Sequence, residues 1–214
     1  GDVYKRQIQL YSKIDGTVIN GNVERYQDFD QHHIDVIGMA ALDNQISLTG
    51  QTKTSHVNFV INSLLSSKDI DTTKLISAET EDKQIQQKLD IQVEPKKPYV
   101  FEKCVTVFTS QTQDANLKQL AQKELNASSF NDTLADSQKF WSNVWQNSDI
   151  QIDNDMTSQK LTRVNIYHML VTSAALASGQ LDSSVGARGL HGEAYRGHIF
   201  WDVTFDLPFY AIHY

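Results

Sequence analysis

The chain has 214 residues, enough for one large domain or two modest ones, and its 40% hydrophobic and 21% charged content is that of a folded globular protein. A formal charge of −7 argues against a nucleic-acid partner, and no apolar run approaches the roughly 20 residues that cross a bilayer. The single cysteine, Cys104, excludes an internal disulfide framework and a zinc cluster built on several thiolates.

The chain opens on Gly1 rather than Met, and Gly1 to Gln7 (GDVYKRQ) reads as translated adapter sequence. Residues 1–7 are therefore set aside from the fold as a sequencing scar. Residues 8–112 read as a partial β-sandwich. Ile8 to Ile14 alternates, and Thr17 to Tyr26 and Ile34 to Thr49 are strand-like runs interrupted by Gly21, Gly38 and Asp43–Asn44. Val57 to Ile61 and Tyr99 to Phe108 are rich in β-branched and aromatic residues. Ser63 to Gln92 is dominated by Lys, Asp, Thr and Gln and is expected to form solvated loops or weak edge strands. Pro95 and Pro98 delimit the last strong strand, in which Cys104 is expected to pack rather than react. Many short strands separated by turn residues predict an antiparallel sandwich.

After residue 112 the period becomes helical. Leu117, Leu120, Ala121 and Leu125 fall near one face of a helix over Ala115 to Leu125. Thr133 to Trp145 places Leu134, Ser137, Trp141 and Trp145 at spacings of three, four and four, and the tryptophans read as packing residues of a linker helix. Residues 113–150 are thus expected to be a helical linker. Gln159 to Ser178 is apolar around most of its girth, as a helix buried inside a larger helical assembly would be, with His168 a hydrogen-bonded core residue. The last residues, LPFYAIHY, read as the middle of an apolar helix without a cap, so the sequence is expected to be a fragment cut at both ends. The lack of a leader then carries no weight, and cytoplasmic and periplasmic locations both stay open.

The most informative stretch is Arg188 to Tyr210. Five of the ten glycines fall between Gly179 and Gly197, and two histidines, two arginines and three carboxylates lie between Arg188 and Tyr210. Such groups each need a partner when buried, so the stretch makes a poor core and a good polar pocket, held on a loop between two helices. Trp201 beside Asp202 offers a flat apolar face next to a carboxylate that accepts two hydrogen bonds, which suits the C–H faces and hydroxyl rim of a sugar. The competing reading is a core Trp followed by an Asp at a helix N-terminus. Arg196 and His198 add fixed donors, and Tyr195 adds a stacking ring with a hydroxyl. Glu193 suits an ion pair with Arg188 or Arg196 as well as it suits substrate, and His191 suits hydrogen bonds to loop carbonyls. No dinucleotide or phosphate-loop glycine pattern, His-Glu-x-x-His helix or Gly-x-Ser-x-Gly elbow occurs, and no cofactor or metal is expected.

The run ARGLHGEAYRGHIFWD, Ala187 to Asp202, resembles the motif of glycoside hydrolase family 65, which contains maltose, trehalose and kojibiose phosphorylases and acid trehalases. FEKCVTVFTS, FWSNVWQNSDIQI and RVNIYHML (Arg163 to Leu170) are similar to family segments in the expected order, so the resemblance covers residues 98–214 by sequence and the earlier strands by architecture. It implies an α+β multidomain fold: an antiparallel β-sandwich, a helical linker, and, over residues 151–214, the first helices of an incomplete (α/α)6 barrel. It implies that Trp201 and Asp202 help form the pocket for the non-reducing glucose, with Arg196 and His198 at positions near it; Tyr195 joins them as a substrate-binding candidate on its own chemistry. It also implies an inverting enzyme acting on α-glucosidic disaccharides such as maltose, trehalose or kojibiose, by hydrolysis or, alternatively, by phosphorolysis with inorganic phosphate. The resemblance puts the general acid farther along the barrel than this chain reaches, so no catalytic residue is assigned and the 214-residue chain alone is expected to be inactive. A carbohydrate-binding or structural fragment without catalysis is the further alternative. Expected partners are an α-glucoside disaccharide and, on the phosphorolytic reading, inorganic phosphate, with a homodimer for the full-length protein and neither nucleic acid nor membrane. Val203 and Asp206 depart from the family pattern, which favours Glu directly after Trp-Asp and an apolar residue three positions on.

Overall fold

A computed structural model of the chain describes residues 6–21, 24–74, 76–111 and 116–177, and beyond them residues 185, 186, 188, 189, 195, 198, 201 and 203. Two compact units are present, one made of Gly1–Ile19 and Asp30–Asp132, the other of Asn20–Phe29 and Thr133–Tyr214.

The first unit is built on seven antiparallel strands. β1 (Arg6–Asp15), β5 (Ile76–Glu81) and β6 (Gln84–Val93) form one sheet in the order β1-β6-β5. β2 (Ile34–Leu42), β3 (Gln45–Thr52), β4 (Asn58–Ser67) and β7 (Phe101–Thr109) form the other, in the order β2-β3-β4-β7. Arg6 and Gln7, two of the residues set aside as a scar, pair with Val93 and Gln92. Asp43–Asn44 makes the expected two-residue turn between β2 and β3, with Asp43 at φ 52° and the Asn44 amide donating to the Leu65 carbonyl at 2.9 Å. Asp82 and Lys83 both take positive φ at the β5–β6 turn, the conformation that matches strand twist in a tight hairpin. At Gly50 in β3 the ring of Phe59 lies where a side chain would stand: an added Cβ would meet Phe59 Cζ at 2.4 Å.

The inner faces of the two sheets meet in two apolar clusters. Ile14 and Ile85 from one sheet pack with Ile46 and Leu48 from the other, and Leu89 and Ile91 pack with Leu65. This is the expected antiparallel sandwich.

Two details of the strand reading are corrected. Thr17 to Tyr26 is not a strand: its described part holds only a single 3-10 turn, Glu24–Tyr26, because Asp15 turns the chain out of β1 by accepting the Thr17 N–H at 2.9 Å and its hydroxyl at 2.6 Å. Ser63 to Gln92 is neither solvated loop nor weak edge strand throughout, although β5 is an exposed edge strand as expected. It carries the end of β4, all of β5 and nearly all of β6, the central strand of its sheet. Ile85, Leu89 and Ile91 recur on alternate positions and are buried, so period two survives within a polar composition.

Three helices follow among the described residues. α1 (Leu117–Ala127) buries Ala121 and Leu125 and packs on β4 and β7, where the Thr106 hydroxyl donates to the Ala121 carbonyl at 3.1 Å. Cys104 is half-buried in β7 with its thiol directed to Glu102 Oε1 (3.5 Å) and the Ser128 carbonyl (3.9 Å). Burial pushes its pKa up, so it is a packing thiol rather than a nucleophile. α2 (Phe130–Ser148) is capped by Ser129, whose hydroxyl accepts the Asp132 N–H at 3.2 Å and donates to the Asp132 carboxylate at 2.6 Å.

α3 (Met156–Ala177) starts at Asp155, whose carboxylate accepts the N–H groups of Thr157 and Ser158, both at 3.0 Å. Within the 214-residue chain its apolar girth is covered only in part. Gln159, Ile166 and Leu170 are buried, whereas Met156, Leu161 and Val164 are exposed. Apolar character gives a side chain a tendency to be covered, and burial also requires an element lying over it.

Candidate functional site

The loop that carries the expected sugar contacts follows α3, so the platform is set by that helix and by the turn that feeds it. Gln159, 8% exposed, uses both ends of its amide on the incoming backbone: Oε1 accepts the Ile152 N–H at 2.7 Å and Nε2 donates to the Ile150 carbonyl at 2.9 Å. Four residues on, Arg163 grips Asp149 in a two-pronged pair, Nε to Oδ1 at 2.8 Å and a terminal nitrogen to Oδ2 at 2.6 Å. That guanidinium holds the Asp149 carboxyl below the usual carboxylate range. Trp141 of α2 rests on Tyr167 of α3 with ring centroids 5.0 Å apart, which is the packing role expected of it. His168 has its ring edge-on to Tyr167, and its carbonyl accepts the Thr172 hydroxyl at 2.7 Å.

The glycine loop leans on the far part of this helix. The Gly189 N–H donates to the Gly186 carbonyl at 2.8 Å and closes a turn. Gly189 sits at φ +56°, and a Cβ added there would lie 3.0 Å from Thr172 Oγ1. Left-handed backbone and close approach thus both call for glycine at this position. Thr172, which the sequence reading did not single out, is the α3 residue against which the turn rests. Its only sequence signal is a hydroxyl within an apolar helical run.

Of the five expected substrate-binding residues, three are described. Tyr195 is 47% exposed and takes φ 55°, a conformation rarely adopted by a bulky aromatic residue and concentrated where local strain serves a site. Its carbonyl accepts the His198 N–H at 3.1 Å, so the two residues close a second turn. His198 is exposed. Trp201 lies in a turn and is 71% exposed in the 214-residue chain. Arg196 and Asp202 lie outside the described residues, as do His191 and Glu193. Among the described residues no group of three or more His, Cys, Asp or Glu side chains is placed to hold a metal ion.

Residues 3–144 match the family model described as glycosyl hydrolase family 65, N-terminal domain, and residues 163–214 match that of the family's central catalytic domain. The chain is 32% identical over 206 residues to trehalose 6-phosphate phosphorylase of Lactococcus lactis subsp. lactis, covering 96% of this chain and 26% of that protein. It is 32% identical over 119 residues to kojibiose phosphorylase of Thermoanaerobacter brockii, covering 53% of this chain and 15% of that protein. A solved structure from the human microbiome, provisionally named a kojibiose phosphorylase, superposes with a TM-score of 0.75 at 24% identity over 97% of this chain and 26% of the other. The chain therefore spans about a quarter of the length of the first of these relatives.

Proposed function

Because the chain belongs to glycosyl hydrolase family 65, we propose that the complete protein is a disaccharide phosphorylase that cleaves an α-glucosidic bond with inorganic phosphate. The observation that carries this reading is the alignment of nearly the whole chain with a trehalose 6-phosphate phosphorylase, supported by the second relative, also a phosphorylase. Phosphorolysis is therefore preferred to the hydrolysis expected first from the sequence.

In this reading the loop after α3 belongs to the glucose pocket. The indole of Trp201 stacks on a sugar face, Asp202 accepts hydroxyl protons from the sugar rim, and Tyr195, Arg196 and His198 supply further contacts. In the inverting reaction implied for this family, a phosphate oxygen bonds to the anomeric carbon as the glycosidic C–O bond breaks. A carboxylic acid delivers its proton to the departing oxygen. That acid is not assigned to any residue of this chain.

The test is to incubate the complete protein with trehalose 6-phosphate, trehalose, kojibiose and maltose, each with and without inorganic phosphate. β-Glucose 1-phosphate forming from at least one sugar, and only when phosphate is present, is the expected result. Release of free glucose at the same rate without phosphate would return the assignment to hydrolysis.

A further inference from the structure

We propose that the interior of the sandwich holds a small ordered-water site built from Ser12, Gln87 and Ser63. Each of the three strands concerned presents a polar residue midway between the two apolar clusters. On β1 the inward sequence is Leu10, Ser12, Ile14; on β6 it is Ile85, Gln87, Leu89; on β4 it is Ile61, Ser63, Leu65. In every case the polar position lies two residues from a member of each cluster, and side chains two apart on a strand share a face. Ser12 and Gln87 are also direct partners in the β1–β6 ladder. The three residues therefore form one polar layer that divides the core.

The layer is sealed. Gln87 and Ser63 are 0% exposed and Ser12 is 4% exposed. Ser12 Oγ, Ser63 Oγ and both Gln87 amide atoms have no hydrogen-bond partner among the described residues. An amide buried with neither its donors nor its acceptor satisfied is strongly unfavourable, and natural cores resolve such groups with protein partners or with internal water. Water is the ligand whose chemistry fits. The amide offers two N–H donors and an acceptor oxygen, each serine offers one donor and two lone pairs, and a buried water needs two to four such partners. The layer would also fix how one sheet stacks on the other, since a slip of two residues would set Gln87 against leucine and isoleucine side chains.

The test is a crystal structure of the complete protein at a resolution that places ordered water, together with thermal melts of Gln87→Met, Ser63→Ala and Ser12→Ala in it. The expected result is a water within about 2.7–3.2 Å of a Gln87 amide atom and of at least one serine hydroxyl. That water should be lost or displaced in Ser63→Ala or Ser12→Ala, and Gln87→Met should melt at a lower temperature than the parent. A layer with no water, or with the Gln87 amide bonded directly to both serines, overturns the inference. A Gln87→Met variant that melts higher than the parent does so too, since that is what a dry, unsatisfied amide predicts. Should Gln87→Met fail to fold, the serine variants, each missing one oxygen, decide the matter through the water alone.

Discussion

Truncating Trp201 to alanine in the complete protein separates a sugar-binding indole from a structural one. The residue is 71% exposed in the 214-residue chain, and on the proposed function the space above it in the complete protein is taken by sugar, so its removal should move fold stability by no more than about 0.5 kcal/mol. A tryptophan offers about 250 Å² of surface, of which 71% exposure leaves roughly 180 Å². A sugar ring lying on one face takes about half of that, ~90 Å², worth ~2 kcal/mol at ~25 cal/mol per Å². Affinity for the disaccharide should therefore fall about 30-fold, and Trp201→Phe should keep a good part of it. Isothermal titration of both variants, with a thermal melt of each, measures the two quantities separately. Binding within twofold of the parent would refute the stacking argument. So would an affinity loss that tracks a drop of many degrees in melting temperature, because the indole would then be supporting the loop rather than touching sugar.

Asp202→Ala in the complete protein should lose turnover on its best α-linked disaccharide while keeping its melting temperature, and unchanged turnover would remove this residue from the site. Gln159→Ala strips both hydrogen bonds from the Ile150–Ile152 backbone and should cost about 1–3 kcal/mol, read as a lower midpoint in urea followed by tryptophan fluorescence, since Trp141, Trp145 and Trp201 all lie in the second unit. Gly189→Ala forces a left-handed alanine against Thr172 Oγ1; it should weaken sugar binding, and the Gly189→Ala/Thr172→Ala double variant should recover only the part due to crowding. Asp15 has its carboxyl pulled down to about 2, first by the Thr17 hydroxyl and then by the Thr17 N–H. Its folded pKa lies below the unfolded value of about 3.9, so its contribution is complete above roughly pH 5 and is lost as the pH falls toward 2. Melting temperatures of parent and Asp15→Asn should accordingly diverge above about pH 4 and converge near pH 2.

The sandwich was legible wherever period two coincided with apolar composition. Ile8 to Ile14 and the pair of runs around Asp43–Asn44 became β1, β2 and β3 because their side chains announce both the pleat and the buried face. β6 hid for a physical reason. Its inward positions include Gln87, and its outward positions are Gln84, Gln86, Lys88, Asp90 and Gln92, so an average over the segment registers polarity and not alternation. The reverse happened between residues 17 and 26, where Val18 and Ile19 suggested a strand. Both stand exposed, because the Asp15–Thr17 turn leads the chain away before any ladder partner can bind it.

The site was legible at a different level. Glycine clustering and polar richness single out the loop as the candidate, and within it Gly189 calls for glycine on two independent grounds, positive φ and the proximity of Thr172. What the local pattern could not give is how the loop is held. The hydroxyl of Thr172 is committed to the His168 carbonyl at 2.7 Å, and the same threonine is the surface on which Gly189 turns. Helix and loop are thus joined by packing between residues 17 positions apart, which no short motif records. The strained backbone at Tyr195 follows the same logic. A bulky side chain at φ 55° costs energy that unconstrained chain would shed, so its persistence requires support from its surroundings, beginning with the His198 N–H on its carbonyl. On the proposed function, the same support would serve the Trp201 indole, which is 71% exposed in the 214-residue chain, because a sugar face stacks best on an aromatic plane whose position is already set.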